Sequence, residues 1–256
     1  MRNFKLTLAY DGTDFSGWQV QPGRPTIQGA LAEAILRITN ESTLPQGSGR
    51  TDAGVHAMAQ VATVLLDSPI PCRGLQIALN DTLPPSIRVL AVEEVAVNFH
   101  ARKSATAKTY RYRIYRGDVC PPFIARYVYH HPYPLDEQAM NEAATRVVGE
   151  HDFTSFAAVD PEERTTVESD EFPIRSNVRT IFASAWSRDG DEFIYQVRGS
   201  GFLHHMVRNL VGTFLLAGKG TLAPDDIRRI LEARERSANP GATAPASALC
   251  LISVEY

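Results

Sequence analysis

Apolar residues in this chain change period several times, from every second position to every third or fourth and back, and both halves show the change. Residues 4–10 carry Phe4, Leu6, Leu8 and Tyr10 at alternate positions, the spacing of a half-buried strand. Ile27, Leu31, Ile35 and Ile38 then recur at helical spacing, with Thr26 in place to cap the helix. Residues 59–66 read as a strand, 72–80 as a short helix and 87–95 as a strand, with Leu83-Pro84-Pro85 separating the last two. In the second half, residues 108–115 alternate cleanly. Lys108, Tyr110, Tyr112 and Ile114 take one face, and Thr109, Arg111, Arg113 and Tyr115 the other. Residues 135–148 read as a helix closed by Gly149, and strands at 178–187 and 191–198 join through the turn signal Arg188-Asp189-Gly190. Helices over 202–217 and 225–236 and a strand over 249–256 complete the pattern. Strands mixed with helices in each half predict an α+β chain of two modules, each with helices on one side of a mainly antiparallel sheet. The boundary falls near 100–107, which gives modules over 1–104 and 105–256. The acidic stretch 159–176 has no periodicity and reads as an exposed loop or insertion.

Composition narrows the class. With 256 residues, 44% hydrophobic and 21% charged, the chain has enough apolar surface for one large core or two ordinary ones. No apolar run approaches the length of a membrane span, and the first ten residues alternate like a strand where a signal peptide would be continuously apolar. Cys72, Cys120 and Cys250 are odd in number, far apart and without Cys-x-x-Cys spacing. They speak against a disulfide framework and a zinc site, and for a reducing, cytoplasmic setting with no membrane contact.

A net charge of −3 hides an uneven distribution. Residues 95–117 contain no acid but hold Arg102, Lys103, Lys108, Arg111, Arg113 and Arg116. A second acid-free stretch, 197–223, holds Arg198, Arg208 and Lys219 with His204 and His205. A phosphate-rich ligand needs one basic face, and the total says little about that. From charge alone, solvated strand faces are the commoner explanation for such arginines.

Three places carry candidate chemistry. Residues 47–60, GSGRTDAGVHAMAQ, contain one carboxylate, Asp52, among Gly47, Gly49 and Gly54, which permit unusual backbone angles and close approach of a ligand. Asp52 near Arg50 favours the ionised form and suits a nucleophile, a base, a metal ligand or a turn-former. Tyr110, flanked by Lys108, Arg111 and Arg113, suits core packing or the stacking of an unpaired base. In residues 199–212, GSGFLHHMVRNLVG, the spacing sets Phe202, Met206, Leu210 and Phe214 along one helical stripe, with His204, Arg208 and Val211 beside it. An arginine there needs a partner, and a carboxylate such as Asp52 would serve. Adjacent His204 and His205 diverge on a helix and are poorly placed to share one ion.

Seven stretches then agree with one family. YDGTDFSGWQ (10–19), GSGRTDAGVHAMAQ, NDTLPPSI (80–87), FHARKSATAKTYRYRI (99–114), HDFTSF (151–156), NVRTI (177–181) and GFLHHMVRNLVG resemble, in order, the motifs of the TruA-type tRNA pseudouridine synthases. Two departures are Ala248, where the family pattern has glycine before Leu249, and the long acidic 159–176 stretch. The resemblance implies two ferredoxin-like (RRM-like) modules with a basic central cleft, acting as a homodimer on the tRNA anticodon stem-loop. It implies isomerisation of uridines 38, 39 and 40 without metal or cofactor, consistent with no nucleotide-binding loop in the chain. Residue by residue it implies Asp52 as the catalytic aspartate and Tyr110 as the ring stacked on the target uracil. Arg208 matches the cation paired with the aspartate, and Arg50 the arginine that displaces the target base. Two other classes compete. One is a non-catalytic RNA-binding protein, which would have no use for Asp52 among RNA phosphates. The other is a metal-dependent hydrolase built on Asp52, His56, His100 and His204.

Overall fold

Alternation in the first ten residues becomes β1 (Arg2–Tyr10), in which Phe4, Leu6, Leu8 and Tyr10 are buried while Lys5, Thr7 and Ala9 are less covered. The computed structural model describes residues 1–158 and 176–256, so the acidic stretch expected to be a loop lies, except for Ser176, outside the described residues. After β1 come α1 (Ile27–Thr39), β2 (Gln46–Gly47), β3 (His56–Leu66), α2 (Cys72–Thr82), β4 (Ile87–Val95) and β5 (Ala107–Tyr115). Then follow β6 (Tyr129–His130), α3 (Glu137–Thr145), β7 (Gly149–Asp152), β8 (Val178–Asp189) and β9 (Glu192–Gly199). The chain ends with α4 (Met206–Gly218), α5 (Asp226–Ala233) and β10 (Leu249–Glu255).

Local chemistry explains where most helices start and stop. Thr26 caps α1 as its spacing requires, the hydroxyl accepting from the Gly29 N–H at 3.2 Å, and Asn40 at φ 58° ends it. Three helices are shorter than their apolar spacing predicts, the last of them α5, read over 225–236 but ended at Ala233 by Arg234 at φ 49°. The segment read as a helix over 135–148 is helical only over Glu137–Thr145; Asp136 caps it, and Gly149, at φ 112°, opens β7 where a helix stop was expected. Pairing of β7 with β8, Gly149 opposite Ile181, draws the chain into the sheet from this residue on. The helix read from 202 begins at Met206, because His205 takes the left-handed conformation at φ 58° and breaks the helical path. Phe202 and His204 are therefore not on α4, and the expected stripe is reduced to Met206, Leu210 and Phe214, all fully buried.

Two compact units result. The first comprises Met1–Arg111, Arg126–Val128 and Ala246–Tyr256; the second comprises Tyr112–Ala125 and Tyr129–Pro245. The terminal strand, assigned above to 105–256, belongs to the first unit, because β10 pairs in parallel with β3, Cys250 opposite His56 and Leu251 opposite Ala57. In the first unit the strand order runs β4-β1-β3-β10, with β1 antiparallel to both β3 and β4 and β2 antiparallel to β3. Its helices α1 and α2 pack together, and α2 packs on β4. Phe4, Leu6, Leu8, Ile27, Leu31 and Ile35 are fully buried, each contributing on the order of 1.5–3 kcal/mol of burial free energy.

In the second unit β9, β8 and β7 form an antiparallel run, and β6 pairs in parallel with the end of β5. Helix α3 packs on β8 and α4, over a core containing Phe153, Phe156, Tyr195 and Phe214. The Trp186 and Phe193 rings stack 4.6 Å apart at an angle of 13°. The predicted α+β class with mainly antiparallel sheets is what the chain adopts.

Candidate active site

Residues 48–55 contain little regular structure, yet nearly every peptide in the loop is tied down within the first unit. Its entry is fixed by the Ser48 N–H donating to Val61 O at 2.7 Å and the Ser48 hydroxyl donating to Gln60 Oε1 at 2.7 Å. Gln60 Nε2 donates to Gly49 O at 3.0 Å, and Lys108 Nζ to Ser48 O at 2.7 Å. At the centre, Thr51 O accepts from the Trp18 N–H at 3.0 Å and the Thr51 hydroxyl meets the Tyr10 hydroxyl at 2.9 Å. Asp52 O closes a turn by accepting from the Val55 N–H at 3.1 Å, and the Gly54 N–H donates to Phe15 O at 3.3 Å. The carboxylate of half-buried Asp52 thus sits on a fixed turn with both ends anchored, the kind of support a reacting group needs.

The first motif, 10–19, is the other half of this arrangement. Gly17, at φ 92°, lies so close to the loop that a Cβ there would stand 2.6 Å from Thr51 O and 3.1 Å from the Asp52 carbonyl carbon. At Gly47 a Cβ would come within 2.6 Å of the Trp18 ring, and at Gly49 within 3.1 Å of Lys108 Nζ. At Gly47 the space that a side chain would need is occupied by the Trp18 ring, and at Gly49 it is approached by the end of the Lys108 side chain.

Tyr110, on β5, is 7% exposed. Burial drives its hydroxyl pKa far above the usual value of 10, and the neighbouring ionisable groups of Tyr10, Asp52 and Cys250 push it the same way. Asp52 and Tyr110 are therefore electrostatic neighbours, one a carboxylate and the other a phenol that stays protonated. Arg50 is exposed on the same loop. Arg208 is half-buried on α4 in the second unit, where its Nε donates to Ala244 O at 2.8 Å. Its charge is felt by Tyr112, whose hydroxyl is raised chiefly by burial and lowered in part by Arg208.

Several supporting residues were not singled out from the sequence. Tyr10 and Lys108 were read as strand residues and Asp11 only as part of the 10–19 motif, but each holds the loop or its neighbour. Asp11 Oδ1 accepts from the Thr13 hydroxyl at 2.6 Å and the Thr13 N–H at 3.0 Å, and Oδ2 from the Tyr127 hydroxyl at 2.9 Å and Arg126 at 3.1 Å. His56 is buried between the Gly12 N–H, 3.1 Å from Nδ1, and Ser247 O, 3.0 Å from Nε2. With both ring nitrogens engaged by backbone, His56 is poorly suited to the metal-ligand role that the hydrolase reading gives it. The only hint available beforehand was that Asp11, His56 and Gln60 lie inside or beside the two most motif-like stretches. Part of the basic strand is also spoken for, since Arg113 forms a fork with Glu192, its Nε donating to Oε2 at 2.6 Å.

Comparison with known proteins places this geometry. Residues 7–102 and 143–256 match the sequence profile of a family described as tRNA pseudouridine synthase. The chain belongs to the tRNA pseudouridine synthase family. Curated relatives named tRNA pseudouridine synthase A are 51% identical in Solibacter usitatus and 44% identical in Brevibacillus brevis, each over 100% of both chains. A third, from Moorella thermoacetica, is 44% identical over 98% of both. The synthase profile covers Arg50, Asp52 and Arg208, while Tyr110 falls between its two matched segments. Among the described residues no helix is long and apolar enough to cross a membrane.

Proposed function

We propose that this chain isomerises uridine to pseudouridine at positions 38, 39 and 40 of the tRNA anticodon stem-loop, with Asp52 as catalytic nucleophile. The observation that carries the reading is the pairing of an anchored Asp52 carboxylate with a buried, protonated Tyr110 in one unit, in a chain of this family.

The reaction breaks the N1–C1′ bond, turns the uracil and joins C5 to C1′. The C5 hydrogen leaves as a proton and N1 gains one, so atoms and electrons balance without a co-reactant. Asp52 traps the substrate while N1 is detached, and the anchored turn keeps it aimed. Tyr110 stacks on the uracil so that the base rotates without escaping. A target inside a stem-loop has to leave its stack, which is the task assigned to exposed Arg50. Arg208 is proposed, as the resemblance has it, as the cation that keeps the carboxylate ionised. The enzyme acts in this proposal as a cytoplasmic homodimer without metal or cofactor, a state that sedimentation and activity in excess chelator test.

Incubation with tRNA carrying tritium at C5 of uridine is expected to release tritium to water, and mapping of the product to locate pseudouridine at 38–40. Asp52→Asn is expected to abolish release while tRNA binding stays within about tenfold. Substantial turnover by that variant would remove Asp52 from the chemistry.

A further inference from the structure

His56 joins three segments of the first unit beside the Asp52 turn, and the reaction proposed above gives it no task. Its side chain is buried, and the two ring nitrogens are engaged with opposite polarity. The Gly12 N–H points at Nδ1 from 3.1 Å, so Nδ1 accepts. Ser247 O lies 3.0 Å from Nε2 and can only accept, so Nε2 carries the proton. These contacts select one tautomer of the neutral ring.

The bond to Gly12 acts on the loop itself. A Cβ at Gly12 would stand 2.0 Å from Val55 O and 2.8 Å from Val55 C, so the Gly12 backbone lies directly on Val55. The Val55 N–H in turn closes the loop on Asp52 O at 3.1 Å. His56 therefore clamps Gly12 against the residue that closes the Asp52 turn. Its other nitrogen ties the clamp to the segment just before β10.

A second group faces Nδ1. Asp11 Oδ1 lies 3.2 Å away, and the Tyr127 ring stands edge-on to the imidazole at 5.1 Å. Burial alone would raise the Asp11 carboxyl, but its bonds from Thr13 and Tyr127 and the nearby His56 hold it below the ordinary carboxylate value. The other ionisable groups set around His56 are Tyr10 at the end of β1, Arg126, which donates to Asp11, and Cys250 opposite it on β10. With the ring neutral, Nδ1 and Asp11 Oδ1 are both acceptors and cannot bond to each other. A proton added at Nδ1 turns that nitrogen into a donor. It then suits the Asp11 carboxylate and deprives the Gly12 N–H of its acceptor.

We infer that His56 is a positioning residue for Asp52: the neutral ring clamps Gly12 onto the turn, and a proton taken at Nδ1 passes the ring to Asp11 and releases the clamp. The inference rests on the reading of Asp52 as the reacting group and adds to it a switch that silences the loop on acidification.

Tritium release at saturating stem-loop RNA from about pH 8 to about pH 5, together with hydrogen exchange of the Gly12 amide, tests the clamp. His56→Leu removes both ring bonds and is expected to lower kcat by about tenfold or more, with Kd for the RNA within about twofold. His56→Asn keeps an acceptor near the place of Nδ1 and takes up no proton. It should recover part of the kcat that the leucine variant loses, and its kcat should fall less on acidification than that of the wild type. Asp11→Asn removes the receiving carboxylate and should flatten the same fall. The Gly12 amide of the wild type should be protected at the alkaline end and lose protection at the acidic end, while His56→Asn keeps it throughout. Wild-type kcat in His56→Leu would overturn the proposal, as would superposed pH profiles in the wild type and both asparagine variants. Should the leucine variant not fold, those profiles and the Gly12 amide decide. A wild-type protein that releases no tritium yet shows the Gly12 change would sink the isomerase reading alone. Tritium release with a Gly12 amide indifferent to pH would sink the clamp alone.

Discussion

Replacing Gly17 by alanine adds one methyl group at the place where two motifs meet. At φ 92° a side chain meets backbone strain of about 1–2 kcal/mol in the left-handed region. The new Cβ would also stand 2.6 Å from Thr51 O and 3.1–3.2 Å from backbone atoms of Asp52 and Ala53. Those neighbours are main chain, which cannot swing aside, so the Asp52 turn has to move by several tenths of an ångström. Overpacking of that kind costs roughly 1–3 kcal/mol, giving about 2–5 kcal/mol in all. For a chain of this size each kcal/mol lowers Tm by roughly 2–4 °C, so the centre of the range predicts a fall of roughly 7–14 °C. Activity should fall too, by less than the roughly hundredfold that a displacement of about 1 Å costs a reacting group. Gly23→Ala is the control: φ is 69°, but no atom lies within 4 Å of the added carbon, so only the backbone contribution applies. Calorimetry and tritium release on both variants decide the matter. If Gly17→Ala matched Gly23→Ala in Tm and rate, the missing side chain would not be what lets the loop sit.

Other expectations concern the buried tyrosines. Tyr110→Phe keeps the ring and is expected to bind the stem-loop RNA like the wild type while turning over on the order of a hundredfold more slowly, through loss of a hydroxyl within range of the Asp52 charge; normal turnover would leave only the stacking role. Burial also raises Tyr10 and Tyr110 well above 10 in the folded chain. Above pH 10 the unfolded chain releases those protons and the folded chain retains them, so stability falls with rising pH by about 1.4 kcal/mol per pH unit for each. Tm measured from pH 8 to 11 should therefore drop less steeply in Tyr110→Phe than in the wild type, and parallel curves would contradict the assignment.

How far the sequence could be read depended on range. Helix α1 was legible because its cap and stripe lie within fifteen residues of one another and need no help from elsewhere. Helix α4 was not, because apolar spacing continues through 202–205 while His205 adopts a conformation that spacing does not encode. The four-residue difference matters, since it removes His204 from the helix that carries Arg208. Strand β2 was invisible for another reason. Two residues carry no period, and Gln46–Gly47 become a strand only by pairing with Thr63 and Ala62.

The candidate site divides in the same way. Its residue types were legible: one carboxylate in a glycine-rich motif, a tyrosine on a basic strand and ordered motifs that agree with one family. Local sequence alone determined those identities and the strand or helix each belongs to, because propensity and periodicity act over a few residues. Only the tertiary structure decided what the glycines accommodate, that Tyr110 lies within range of the Asp52 charge, and that the last strand joins the first unit beside His56. Each of those facts is a contact between segments tens to nearly two hundred residues apart, and such contacts are selected by packing and burial, which no short window of sequence records.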